Sequence, residues 1–228
     1  FKEGYYTDAY FMRSEEILNG DNYHPRVLMQ VFARDHVVVC GTDEVIALIR
    51  QCAFHPETIE IHSLRDGEEV DEWETVMTIE GDYADFAHLE TIYLGILARQ
   101  SRIATNVRRV VKAANGKPVL FFPARYDIYQ TQESDGYAAL VGGIHGFSTD
   151  ANALAAGGKG LGTIPHALIA SYKGDTVAAT EAFDKYVDPS IARIALVDFD
   201  NDCVNTSLAV ARKLGKKLAG VRLDTSGS

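Results

Sequence analysis

From Pro118 onward the chain repeats one pattern, and that pattern restricts the fold more than any other feature. A short apolar run is followed by a helical stretch, several times over. The helical stretches read as Glu133–Leu140, Thr149–Ala156, Ala167–Ser171, Asp175–Tyr186 and Cys203–Leu214. Among the runs are Val119-Leu120-Phe121-Phe122, Ile194-Ala195-Leu196-Val197 and Ala219-Gly220-Val221-Arg222-Leu223. Apolar strands alternating with helices build parallel βα units, because each strand needs a crossover before its parallel neighbour. At most five strand candidates are present, too few to close a barrel. The expected fold class is therefore α/β, with residues 117–228 forming the first part of an incomplete parallel α/β barrel. The chain stops soon after its last strand candidate, so it is expected to continue beyond Ser228. Its first residue is Phe1 rather than Met, so residues are expected to precede it as well.

In a parallel α/β barrel the C-terminal strand ends open into one mouth. Polar residues that close the apolar runs are then candidates for one site. Arg125, Asp198 and Asp224 hold such positions. So does His166, in Gly162-Thr163-Ile164-Pro165-His166, which reads as a strand end, a sharp turn and a helix entrance at Pro165. The bland reading of His166 is a helix-start histidine with a local hydrogen bond. The preceding Gly157-Gly158-Lys159-Gly160-Leu161-Gly162 lacks the Gly-Lys-Ser/Thr ending of a phosphate-binding loop and reads as a mobile loop beside the site.

Ahead of the repeating region, residues 1–116 read as an N-terminal α+β domain. Tyr5, Tyr6 and Tyr10 crowd the first ten residues, either docking a terminus or forming an aromatic arm that stacks on a ligand. Thr7 or Ser14 is placed to cap a short helix. Residues 20–82 alternate as strands around a helix opened by Thr42-Asp43-Glu44. Two helices are then expected, Ala84–Gln100 and Thr105–Asn115. The second carries Arg108, Arg109 and Lys112, which form either a solvated face or an anion-holding group.

The formal charge of −10 argues against a general nucleic-acid binder, whose affinity rests on neutralising phosphates with cations. Cys40, Cys52 and Cys203 show no Cys-x-x-Cys spacing, so neither a disulfide framework nor a zinc site follows, and a reducing cytoplasm is expected. No apolar run approaches membrane-spanning length.

Taken in order, the motifs resemble those of the nicotinate phosphoribosyltransferase family, within the wider group of nicotinate, nicotinamide and quinolinate enzymes. Asp8-Ala9-Tyr10 is similar to the family's Asp-x-Tyr, and Ser101-Arg102-Ile103-Ala104-Thr105 to its interdomain segment. Phe122-Pro123-Ala124-Arg125 stands where the family has Phe-Gly-x-Arg, and Ser148-Thr149-Asp150 resembles the Gly-Thr-Ser/Asp segment. Gly162-Thr163-Ile164-Pro165-His166 matches Gly-Thr-x-x-His. Leu196-Val197-Asp198 matches Leu-Val-Asp, and Val221-Arg222-Leu223-Asp224 the later Arg-x-Asp. Their shared order along the chain carries the resemblance.

The resemblance implies an N-terminal α/β sandwich-like domain followed by the incomplete barrel. It implies attack of nicotinate on 5-phosphoribosyl 1-pyrophosphate, with magnesium and usually ATP. His166, Asp198 and Asp224 become the catalytic candidates, Asp198 and Asp224 the magnesium ligands, and His166 the phosphorylated residue of ATP-coupled members. Tyr10, Phe122, Arg125, Thr149, Asp150, Thr163 and Arg222 become substrate-binding candidates. The tyrosine of Asp-x-Tyr comes from the other subunit in this family, which implies a homodimer. Two departures bear on specificity. Tyr126 stands where the family usually has a second arginine, and Asp150 lies near the Asp with which amide-preferring relatives recognise nicotinamide. The alternatives are a nicotinamide-preferring enzyme, a non-catalytic nucleotide-binding relative, and a metal-dependent lyase using His166, Asp198 and Asp224.

Overall fold

A computed structural model describes residues 1–225. The chain divides into two compact units, residues 1–161 and 162–228.

The first unit opens with helix α1 (Ala9–Gly20), with Asp8 at the N-cap position but making no side-chain capping bond. Neither expected cap is used. The Thr7 hydroxyl donates to the His88 carbonyl, and that of Ser14 bonds back to Tyr10 within the helix. Strands β1 (Arg26–Phe32) and β2 (Val37–Val38) precede helix α2 (Thr42–Cys52), whose first turn holds Asp43 and Glu44. Then come β3 (Glu60–Ser63), β4 (Glu69–Val70) and β5 (Thr75–Asp82). Strand β5 is the centre of an antiparallel sheet ordered β1-β5-β3, while β2 and β4 pair separately. Ile79 sits opposite both Met29 and Ile61, so the buried faces of three strands stack in one row. Val45 and Ile49 from α2 close over that row with Phe86, Leu89 and Tyr93, forming the larger core.

After the short helix α3 (Tyr83–Phe86) the chain runs into α4 (Glu90–Ala113), a single helix of 24 residues. The sequence predicted two helices with a break near 101–104. No break occurs, because the polar residues there face a strand edge rather than solvent. Ser101 Oγ accepts the Cys40 N–H at 3.0 Å, and Thr105 Oγ1 accepts the Val38 N–H at 2.9 Å. A buried edge N–H left unpaired is costly, so these hydroxyls are as useful there as apolar groups.

Strand β6 (Leu120–Phe121), helix α5 (Gln132–Gly142), strand β7 (Gly146–Phe147) and helix α6 (Asp150–Ala153) complete the unit, with β6 and β7 parallel. Helices α5 and α6 meet at Gly136, where an added Cβ would lie 2.1 Å from the Asn152 carbonyl oxygen. The expected basic face is partly structural: Arg108 binds the Val141 and Gly142 carbonyls at the end of α5 and pairs with Glu69 at 3.2 Å.

The second unit holds α7 (His166–Ser171), α8 (Thr176–Tyr186), β8 (Arg193–Leu196), α9 (Cys203–Leu214) and β9 (Leu218–Arg222). Strands β8 and β9 are parallel, with Leu196 opposite Arg222. Ile169, Phe183 and Leu196 pack one side, and Val197, Val210 and Leu214 the other. Thus the region from 117 consists of βα units with parallel pairs and no closed barrel among the described residues, as the strand count predicted. Gly162-Thr163-Ile164 is not a strand; it is irregular, and only the helix after it forms. No helix among the described residues is long and apolar enough to cross a membrane.

Candidate active site

Asp198 lies two residues beyond the end of β8, where the apolar run stops. Its residue surface is 4% exposed, yet both carboxylate oxygens are satisfied. Oδ1 lies 2.9 Å from His166 Nε2 at the first position of α7. Oδ2 accepts the Asp224 backbone N–H at 2.5 Å and the Thr225 hydroxyl at 2.7 Å. Burial pushes the Asp198 carboxyl upward, but the donations from Thr225, Asp224 and His166 outweigh it and hold the group at about 2. Asp198 is therefore a permanently ionised carboxylate at neutral pH, fixed in a largely water-free position.

Around it, β9 delivers the rest. Arg222 donates to Thr163 Oγ1 at 3.0 Å and also pairs with Asp224. The chain from β9 thus presents a cation, a carboxylate and a hydroxyl in succession. His166 is 38% exposed at its side chain, and its ring lies 6.3 Å from that of Phe199. The five sequence-predicted residues of this unit, Thr163, His166, Asp198, Arg222 and Asp224, are drawn together. Thr225 escaped the sequence reading. Its signal was adjacency to Asp224, but a lone hydroxyl after a strand has too many ordinary uses to stand out.

The remaining candidates lie in the first unit, on separate elements. Arg125 is exposed on the turn after β6 and makes no hydrogen bond or ion pair with a described residue. Phe122 is 46% exposed. Tyr10 is 57% exposed and contacts Asp8 and Phe11, while Tyr5 and Tyr6 are also exposed, so the tyrosines do not dock the terminus. What docks it is Phe11, with Asp8 bound to Thr91. Thr149 caps α6: its oxygen accepts the Asn152 N–H, and it lies 3.0 Å from Gln132 Oε1. Asp150 Oδ1 accepts the Gly160 N–H at 2.7 Å. Together with Gly158 N–H on the Ala153 carbonyl and Leu161 N–H on that of Phe147, this clasps the glycine-rich segment onto the βα unit, in contrast to the mobile loop expected.

Magnesium needs only one or two protein carboxylates, since it keeps much of its water. Among the described residues no group of three or more His, Cys, Asp or Glu side chains gathers to hold a metal. Asp198 has its oxygens committed to protein donors, whereas Asp224 is 37% exposed at its side chain and can meet a hydrated ion. The Asp224 carboxylate also pairs with Arg222, so an ion meeting it there would share it with that cation.

Residues 8–101 match the family described as quinolinate phosphoribosyl transferase, N-terminal domain. A nicotinate-nucleotide pyrophosphorylase from Pyrococcus furiosus superposes on 99% of the chain with a TM-score of 0.90 at 37% identity, the chain covering 58% of that structure. Along nearly its whole length the chain resembles the nicotinate/quinolinate phosphoribosyltransferase group. Within that group, the nicotinate phosphoribosyltransferase of Bacillus subtilis is 30% identical over 179 residues, which are 72% of this chain and 34% of that protein. Human nicotinic acid phosphoribosyltransferase shares the fold with a TM-score of 0.72 at 16% identity, over 96% of this chain and 61% of that one. The chain therefore spans about a third of the length of its B. subtilis relative. The phosphoribosyltransferase motifs at 162–166, 196–198 and 221–224 all meet at the Asp198 carboxylate or one bond from it.

Proposed function

We propose that the protein transfers the phosphoribosyl group of 5-phosphoribosyl 1-pyrophosphate to nicotinate, giving nicotinate mononucleotide and pyrophosphate for NAD synthesis. The observation that carries this reading is the buried, ionised Asp198 braced by His166, Asp224 and Thr225. The names of the relatives support it. In the reaction the pyridine nitrogen bonds to C1 of the ribose as the bond from C1 to the pyrophosphate oxygen breaks, and the electron pair leaves with pyrophosphate. Positive charge develops at C1 and the ring oxygen. A fixed negative charge that needs no reorganisation stabilises it, and this is usually the largest catalytic effect available. Asp198 supplies that charge, and Asp224 and Arg222 orient ribose and phosphate oxygens.

Arg125 is proposed to pair with the nicotinate carboxylate, a planar fork on a planar anion. Phe122 and Tyr10 offer exposed ring faces for the pyridine, with Tyr10 acting in the site of a partner subunit of a homodimer. Magnesium, bound through Asp224 and its own waters, would neutralise pyrophosphate charge. ATP is the proposed co-substrate. His166 Nε2 is held by Asp198, which leaves Nδ1 to accept a phosphoryl group as ADP departs. A cytoplasmic location completes the proposal.

Two observations bear on specificity. Asp150 is bound to Gly160 N–H, which ties its carboxylate to the glycine-rich segment and favours an acid over an amide substrate. The family match and the P. furiosus structure favour, as a second reading, a pyridine dicarboxylate such as quinolinate. Against it, Arg125 is the only cation in Phe122–Tyr129. Product formation from 5-phosphoribosyl 1-pyrophosphate with nicotinate, nicotinamide or quinolinate, each with and without ATP, tests these readings. Turnover of nicotinate stimulated by ATP is expected. Preference for quinolinate or nicotinamide would replace the substrate assignment, and no product from any of the three would leave a non-catalytic relative.

A further inference from the structure

We infer that Arg99 is a positioning residue for recognition of the pyridine carboxylate, acting through the turn that carries Arg125. This rests on the role proposed for Arg125. The turn has little packing of its own: Tyr126 is 87% exposed and Ile128 63%. Its internal bonds are local, from the Tyr126 and Asp127 N–H groups to the Pro123 carbonyl at 2.7 and 3.3 Å. Those bonds shape the turn without fixing where it stands.

Arg99 supplies the fixed point. It projects from α4, and its Nε and Nη2 fork onto Asp135 Oδ1 and Oδ2 at 2.9 and 2.8 Å. Asp135 belongs to α5 and is 2% exposed at its side chain, so this carboxylate does not move with solvent. From that anchor Arg99 Nη2 reaches Asp127 Oδ1 at 3.4 Å and Thr131 Oγ1 at 3.3 Å, one inside the turn and one at its end. The Thr131 hydroxyl also lies 2.8 Å from Asp135 Oδ2 and 3.1 Å from the Ile128 carbonyl. One guanidinium therefore ties the end of the Arg125 turn to two helices. A cation held on an exposed, untethered turn loses conformational freedom when it binds an anion, and holding the turn beforehand removes part of that cost. Arg99 would thus act on affinity for the carboxylate without touching it.

Arg99→Gln alone would mix this effect with the loss of a partner for buried Asp135. Asp127→Ala separates them, since the Arg99–Asp135 pair remains. The experiment compares full-length wild type, Asp127→Ala and Arg99→Lys by hydrogen–deuterium exchange over residues 122–131 and by steady-state kinetics. Because the Arg99–Asp127 pair is partly exposed, Asp127→Ala should raise the KM for nicotinate about three- to fivefold. The kcat and the KM for 5-phosphoribosyl 1-pyrophosphate should stay within about twofold, while exchange at Tyr126 and Asp127 quickens. Arg99→Lys keeps the charge but loses the fork and should raise the same KM. Unchanged exchange and KM in Asp127→Ala would overturn the inference, as would an equal change in every kinetic constant. If the wild type does not use nicotinate at all, the proposed function fails. Exchange over 122–131 then still decides whether Arg99 holds the turn.

Discussion

Replacing Asp198 by Asn tests the charge at the centre of the candidate site while nearly preserving its shape. In the folded protein the Asp198 carboxyl is lowered from 3.8 to about 2, against the upward pull of burial. A folded value below the unfolded one means that the native state binds the proton more weakly. The resulting stability is fully present above the unfolded value and is lost as pH falls through the folded one, here between about pH 4 and pH 2. The shift is somewhat under two pH units, which corresponds to about 2 kcal/mol at neutral pH, at about 1.4 kcal/mol per unit. Asp198→Asn should therefore lower the unfolding free energy by about 2 kcal/mol at pH 7. The gap should narrow as pH falls to about 2 and close below it, where the wild-type carboxyl is protonated and similar to the amide. Urea unfolding followed by circular dichroism at pH 7 and at low pH measures both values. Loss of the fixed charge should also lower kcat by roughly a hundredfold or more, as for other preorganised electrostatic groups. A variant as stable as wild type at pH 7, or a deficit independent of pH, would refute the reasoning and reduce Asp198 to a hydrogen-bonding strut.

Three further outcomes are expected. Arg125→Ala should raise the KM for nicotinate about ten- to a hundredfold and that for 5-phosphoribosyl 1-pyrophosphate little, since a charge-assisted bond contributes about 1.5–3 kcal/mol; steady-state kinetics with each substrate varied checks this. Gly136→Ala should cost about 1–3 kcal/mol in a thermal melt, because the new methyl group meets the Asn152 backbone rather than a side chain that can move. Glu15→Gln should stabilise the protein at neutral pH. Burial first, then the nearby Asp85 charge, raises the Glu15 carboxyl, so its contribution is present below the unfolded value and lost as pH rises through the folded one; a melting temperature that does not rise at pH 7.5 would count against it.

Much of the second unit was legible because each clue was local. Helix Cys203–Leu214 has the predicted bounds, set by its apolar periodicity and by an Asp202 cap that accepts the Asn205 N–H. Asp198 and Asp224 stood out because each closes an apolar run, and chain direction alone puts such residues at one end of a parallel pair. What was not legible depends on partners distant in sequence. Ser101 and Thr105 looked like a helix break until Val38 of β2 and Cys40 just after it supplied the N–H groups they accept. Arg99 and Asp135 are each ordinary helix-surface residues in sequence, and only the packing of α4 on α5 makes them a pair. The glycine-rich segment misled for the opposite reason: glycine signalled freedom, whereas Gly160 serves close approach, its missing Cβ leaving room for the backbone of Ser148 and Thr149.

The unbroken helix α4 has a further consequence. At 1.5 Å per residue its 24 residues make a rod about 36 Å long. Tyr93 and Leu97 near one end belong to the core under the antiparallel sheet, and Val107 near the other belongs to the core shared with α5 and β7. A helix loses stability steeply once one end is freed, because propagation gains a bond per residue while a new nucleus is costly. Damage to either core therefore reaches the other along the backbone. The sheet layer and the first βα units are expected to melt together, with α4 as the element they share.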